Sequence, residues 1–524
     1  MAPAIVAPEE EEGPLLLDVD VGDEHAVDVT NETVEEEETV PSTTLLPQTT
    51  LPPQTDGAWI SESSKVLIQV CMITLLFDFT QYSSYAPLTA VFEEIICNHY
   101  YPPGSALRDC KSVPVQSELA LVKGYKDAFN QIPSIILGIP LGLLADRIGR
   151  KPFIILFLLG FFLSDSWTKI VCLFPQHLPL RLVWFAPVLK AFGGGANFGT
   201  SMFYTVVADI MEEKHRGDAF MKLSGMEMVV LVAGVPLISI LMRLNSWYPL
   251  GLSTICLIAA GAIALTLPET HPQHRTTNFG LPKSVEGEAQ DEDAPMAESH
   301  LVTLRKLLPR AFTTLRDLLK DTGILLSLAV FLLVAFGAHV WALLLQYVAH
   351  KFEWEFSTAN LLFSLRGAIT LLLSLVIMRM IDKFLQKKLG IKAAQKDLLL
   401  CTGSCILIIV GIALVGVAQS PVLMIAGVVI SALGSSLLVS LRSAIISLFP
   451  QTPMASLNAI AGIAQSVGIL ISGPVLAQIY SWGLSKGGFW FGTPFLVASG
   501  LHVVALADIF YLRLTRVSAQ ASST

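Results

Sequence analysis

Twelve stretches of this chain are apolar and long enough to cross a bilayer, and they fall as six, a polar interruption, and six more. They lie at about 65–90, 118–143, 152–174, 181–210, 218–243 and 247–267, then 321–349, 357–381, 397–418, 421–447, 455–481 and 490–513. A helix needs about 20 residues to traverse the hydrocarbon core, where every backbone polar group must be satisfied within the protein. Only 15% of the residues are charged, against about 25% in a soluble domain, which excludes an ordinary soluble enzyme. The expected fold is an all-α integral membrane protein of twelve transmembrane helices in two six-helix bundles, 65–270 and 321–513. Between them, residues 271–320 are charged and Pro-rich and read as a connector, with Leu304 to Leu319 spaced for a helix at the membrane surface.

The net charge of −9 belongs to one end of the chain. Residues 1–64 hold 16 acidic side chains and no Lys or Arg, so the remaining 460 carry 27 acids against 34 bases. Such a stretch cannot bury enough apolar surface to fold and is expected to be a disordered acidic tail. Orientation follows from the bases, because cytoplasmic loops carry the excess of Lys and Arg. Arg147, Arg150 and Lys151 stand after the second run, Lys214 and Arg216 after the fourth, and Lys383, Lys387 and Lys388 after the eighth. Both ends, including the short tail 514–524, are then cytosolic in a multi-pass protein, with the plasma membrane favoured over the vacuole. Seven cysteines without CxxC or Cys/His spacing point to no metal site. Cys97 and Cys110 share the first outer loop, where oxidation is permitted; a bridge and two free thiols both remain open on spacing alone.

The loop between the second and third runs reads Gly142-Leu143-Leu144-Ala145-Asp146-Arg147-Ile148-Gly149-Arg150-Lys151. Gly142 and Gly149 suit helices that approach closely across a tight turn. Asp146 suits a helix amino terminus or an arginine partner. This loop resembles the signature loop of the major facilitator superfamily, and the resemblance covers about residues 65–513. It implies a transporter with a central cavity lined by the first, fourth, seventh and tenth helices. It also implies that Asp146, with Asp209 and Arg216, forms a latch that holds the two halves in one state and releases them in the other. A second-half copy is present only as Met378-Arg379-Met380-Ile381-Asp382-Lys383, without the glycines. In detail the chain is similar to a fungal group distantly related to proton-coupled folate transporters.

Ionisable side chains at membrane depth carry the remaining signal, since each costs about 2.5–3.5 kcal/mol on insertion scales and needs a partner or a wet cavity. Asp78 lies past the middle of the first run, on a stripe with Gln81, Tyr82 and Tyr85. Glu227 lies at mid-depth in the fifth run, and Asp127 nearer the outer end of the second; these three acids are the candidates for proton coupling. Lys190 and Asn197 in the fourth run, His339 in the seventh and Arg366 in the eighth are candidates for the substrate cavity. A guanidinium at the depth of Arg366 calls for an acid partner, and Lys123 and Lys126 are explained by snorkelling to the interface. The run Gly193-Gly194-Gly195 suits close helix approach. No Walker-type segment, catalytic triad or metal cluster appears, so neither an ATP-driven pump nor an enzyme is expected, and no cofactor or nucleic acid is implied.

The expectation is a monomeric, proton-coupled secondary active transporter of a small organic molecule, exporting a secondary metabolite or toxicant. Proton-coupled uptake of an organic anion is the alternative within the same mechanism. A non-transporting receptor or scaffold signalling through the acidic tail is the alternative outside it.

Overall fold

The structure, a computed structural model, describes residues 56–102, 104–105, 108–270, 320–378, 380–381, 393–448 and 454–512. The surface helix expected at Leu304 to Leu319, the second-half loop copy at Arg379, Asp382 and Lys383, and the tail 514–524 lie outside the described residues. So does the acidic tail as far as residue 55. The first helix, Asp56–Tyr100, starts earlier than charge alone indicates, so residues 56–64 belong to it rather than to the tail.

Among the described residues, eleven helices are long and apolar enough to cross a membrane, from Glu62–Tyr100 to Gly488–Leu512. The twelfth crossing is the fourth span, and it is broken. A 3₁₀ segment Leu180–Phe185 leads into a short helix Ala186–Lys190 and a further 3₁₀ turn Ala191–Gly193, and a new helix runs Ala196–Ile210. The break occurs at Gly194 (φ +73°) and Gly195 (φ +82°), two successive left-handed residues that only glycine adopts without strain. Gly193 serves the expected close approach: a Cβ there would stand 2.5 Å from the Cα of Phe157 in the third span.

Other spans are interrupted more gently. The second passes from Val113–Phe129 to Ile132–Ile148 at Pro133, which has no N–H to continue the first helix. The fifth carries a π-helical turn, Val230–Gly234, and the eighth another, Leu373–Ile377. In the seventh, Thr322–Ala338 tightens into a 3₁₀ segment, His339–Leu343. Such irregular turns inside membrane helices free backbone groups for other partners.

The apolar core shows how the halves meet. One buried cluster holds only first-half residues, among them Ile73, Phe77, Phe157 and Val206, and another only second-half residues, among them Val330, Cys405, Leu441 and Ile509. A third crosses the seam, joining Ala86, Ala120, Ile238 and Met242 to Leu344, Tyr347, Leu476 and Phe495. All its first-half members lie toward the end of the molecule that carries Cys97 and Cys110. At that end the seam is closed. A Cβ on Gly124 would stand 2.5 Å from the carbonyl oxygen of Gly473. Asn360 Nδ2 donates to Ser239 Oγ at 3.0 Å, and Ser364 Oγ donates at 3.3 Å to the carbonyl of Val232, inside the π-turn of the fifth span. Toward the end that carries Arg147 and Arg150, a Cβ on Gly138, Gly142, Gly217, Gly225 or Gly462 would meet nothing within 4 Å. Among the described residues, the close backbone contacts between the halves lie at the disulfide end, the sealed end; the opposite end is the parted end.

Candidate functional site

A cavity of about 660 Å³ lies along this seam. Tyr82 and Tyr85 line it from the first span, Lys123, Lys126 and Asp127 from the second, Lys190 from the fourth and Glu227 from the fifth. The second half contributes His339, Trp341, Phe363 and Arg366. A smaller cavity of about 260 Å³ shares Gln81, Tyr82, Ala196 and Glu227 as walls and adds Asp78, Thr74 and Ser224. Helical spacing on the first span is what sets Asp78, Gln81, Tyr82 and Tyr85 along one face toward both spaces.

The three acids singled out from sequence stand in different surroundings. Glu227 is exposed to the cavity, and the Tyr82 hydroxyl donates to its Oε1 at 2.9 Å. Asp78 faces the smaller cavity and makes no ion pair among the described residues. Asp127 reaches across the seam to His339, with Oδ2 3.8 Å from Nε2. His339 comes within reach because the 3₁₀ segment starts at that residue.

The cations depart from expectation. Arg366 has no acid partner among the described residues; its guanidinium lies 4.5 Å above the Trp341 ring. Lys190, nine-tenths buried, rests its ammonium 4.0 Å over Phe161. Lys123 does not snorkel: it is buried, donates to the Ala342 carbonyl at 3.4 Å and lies 5.0 Å over Tyr85. The negative ring face is the common partner, and it holds a desolvated cation less firmly than a carboxylate does. Lys190 owes its position to the break, since it ends the short helix just before the glycines. Asn197 lines neither cavity; its Nδ2 bridges the seam to Ser466 Oγ at 2.7 Å.

The Gly142–Lys151 loop forms a network within the first half. Gly149 adopts φ +122° because the Glu269 carboxyl occupies the place of its Cβ. Glu269 accepts from the backbone N–H of Arg150 at 2.7 Å and of Lys151 at 3.1 Å, which caps the third span at its positive end. The Arg150 guanidinium bonds Asp146 of its own half and donates from Nε to Asp209 Oδ2 at 3.2 Å. Burial pulls the Arg150 pKa down, but hydrogen bonds and charge from Asp146 and Asp209 outweigh it and hold the group above its ordinary value. The latch contacts implied by the resemblance are not made across the seam in this conformation, which is the behaviour expected of a latch in its released state. Among the described residues Arg216 joins no ion pair, and its buried Nε has no hydrogen-bond partner. Gly142 makes no close approach in this conformation. Asp146 pairs within its half rather than across the seam, and Arg147 points to solvent. Glu269 is the capping residue that loop reading missed; its signal was the Pro268-Glu269 pair closing the sixth span.

At the sealed end, Cys97 and Cys110 form a disulfide with Cα atoms 5.1 Å apart. The next residue, Lys111, pairs with Glu93 at 2.7 Å and sets its ammonium 4.5 Å over Phe356 of the second half.

Comparison with known proteins gives consistent results. The family model described as Major Facilitator Superfamily matches residues 122–472. The chain is 30% identical over 452 residues to "Efflux pump ustT" of Aspergillus flavus, covering 85% of this chain and 87% of that one. It is 29% identical over 455 residues to "MFS efflux pump atnC" of Emericella nidulans, covering 84% and 87%. In fold it is similar to the crystal structure of a D-xylose-proton symporter, with TM-score 0.58 at 16% identity over 85% of this chain and 96% of that one.

Proposed function

The chain belongs to the major facilitator superfamily and is a multi-pass membrane transporter of a small molecule; from that premise we propose that it exports a small organic molecule by alternating access driven by protons. The observation that carries this reading is the seam cavity, close-packed at the disulfide end, with Glu227 in its wall and Asp78 in the smaller cavity that shares Glu227 with it. With the basic loops on the cytosolic side, the parted end faces the cytosol, where an exporter loads. The efflux pumps related in sequence support the outward direction.

In this reading Asp78 and Glu227 take up protons in one state and release them in the other. Asp127 senses the seam through His339, since that pair breaks if the sealed end opens. Rocking of the halves exchanges the closed end for the parted one around a fixed cavity. The cations and rings of the cavity orient the substrate, and the Arg150 network keeps the gate loop folded throughout.

Accumulation of a panel of fungal metabolites in yeast cells expressing the protein tests this. Cells carrying it should hold less of at least one compound than control cells, and a protonophore should abolish the difference. Asp78→Asn and Glu227→Gln should each lower the proton-driven flux by about tenfold or more at unchanged surface expression. Flux indifferent to both the protonophore and the two substitutions would overturn the proton mechanism.

A further inference from the structure

The seam cavity holds more cations than its own acids can neutralise. Lys123, Lys126, Lys190 and Arg366 line it against Asp127 and Glu227. Asp127 is turned to His339 and Glu227 accepts from Tyr82. None of the four cations has a carboxylate within ion-pair distance among the described residues. Three of them rest on aromatic rings instead: Lys123 on Tyr85, Lys190 on Phe161 and Arg366 on Trp341. A desolvated cation without a counter-ion is costly, and a ring face compensates only part of that cost. Nor is Lys190 at a solvent-washed edge; it is nine-tenths buried. One more feature has the same sign. Ala196, the first residue of the helix Ala196–Ile210, lines the cavity, and no side chain caps that helix, so its positive end adds to the field there.

We propose that the transported molecule is an organic anion, a carboxylate, sulfate or phosphate ester on a flat apolar body. Its charge is taken by Lys190 from the first half and Arg366 from the second. Its body lies against Tyr85, Phe363 and Trp341, which line the same space. Because the two cations belong to different halves, an anion that pairs with both interacts differently with the parted and the closed arrangements. A carrier needs such a difference for its substrate to shift the conformational equilibrium. The proposal rests on the seam cavity being the transport site. It requires neither an outward direction nor proton drive.

The test is calorimetric titration of the purified full-length protein with 2-naphthoate, naphthalene-2-sulfonate and 2-naphthyl phosphate, alongside neutral 2-naphthylmethanol and cationic 2-naphthylmethylamine. The anions should bind about tenfold or more tightly than the alcohol, as expected of charge-assisted hydrogen bonds in a dry site, and the amine most weakly. The order among the three anions identifies the charged group. Lys190→Gln and Arg366→Gln should each remove about that factor for the anions and leave the alcohol unchanged, while Lys190→Arg keeps the preference. Equal binding of anion and alcohol, no binding of any probe, or equal loss of both in the variants would overturn the proposal. Proton-driven export of a neutral compound, with no anion preference, would overturn the substrate class alone. An anion preference without proton-driven flux would sustain it while the transport mechanism fell.

Discussion

The two ends of the seam are built from different chemistry. At the sealed end the halves meet mainly through glycine backbones at Gly124 and Gly473, a shared apolar cluster, and neutral hydrogen bonds such as Asn360 to Ser239, with Asp127 and His339 in a looser contact at 3.8 Å. At the parted end Arg150 of the signature loop pairs with Asp146 and Asp209, both of its own half. Asp397, near the start of the ninth span, likewise stays in its own half, where it accepts from Ser443 at 2.5 Å. The difference teaches how a seam can open cheaply. Parting such largely neutral surfaces onto a water-filled cavity exposes groups that water accepts, whereas parting a close, buried ion pair would strand two charges. Charges already satisfied within one half are not stranded when the halves separate.

The contrast is broken most severely by one extra side chain. Gly124→Val has no room at the seam, where overpacking costs about 1–3 kcal/mol or more, so the sealed end should no longer close. A cysteine placed at Tyr85 should then label readily with a membrane-impermeant reagent from the disulfide side, and flux should fall by about tenfold or more. Unchanged labelling and flux would show that this seam is not the gate. The same change at the parted end, Gly142→Val, meets nothing within 4 Å in this conformation. It should therefore leave the melting temperature unaltered while it lowers flux by obstructing the opposite state.

Arg150→Gln sharpens the comparison from the charged side. Removing the guanidinium from Asp146 and Asp209 should destabilise the first half by about 2 kcal/mol, the scale of hydrogen bonds to charged groups. Limited proteolysis should then cut the loop around residue 149 sooner, with disulfide-side labelling unchanged. Asn360→Ala, which deletes one neutral cross-seam bond, should shift the sealed state by about 1 kcal/mol, or about fivefold in labelling rate. The smallest effect on the balance of the two ends is expected from Cys97→Ser. That bridge closes a loop with a sequence separation of 13 and acts mainly on the unfolded chain, by about 3 kcal/mol in the chain-entropy account. Melting should fall while labelling stays as it was.

The fold was legible because the constraint that produces it is one-dimensional. Desolvated backbone must be helical, and the run lengths of apolar residues mark each span without reference to any other. The acids and bases at depth were legible as exceptions for the same reason, and Asp78, Glu227, Asp127, Lys190, His339 and Arg366 all border one of the two cavities. Their partners were not. Arg366 calls for an acid by its depth and lies over Trp341; Lys123 is long enough to reach the interface and is held over Tyr85; Asn197 bridges the seam to Ser466. The glycines Gly193 to Gly195 suggested close packing, but nothing local indicated that two of them would turn left-handed and break the span beside Lys190.

The sequence by itself determined which residues cross the membrane, where the signature loop stands and which charges must be accommodated, because burying a polar group carries its cost whatever surrounds it. The tertiary structure alone decided which end of the seam is sealed, that Glu269 caps the third span, and that the cavity's cations rest on rings. Each of those outcomes depends on distances between spans far apart in the chain, and such distances are settled only when the helices pack.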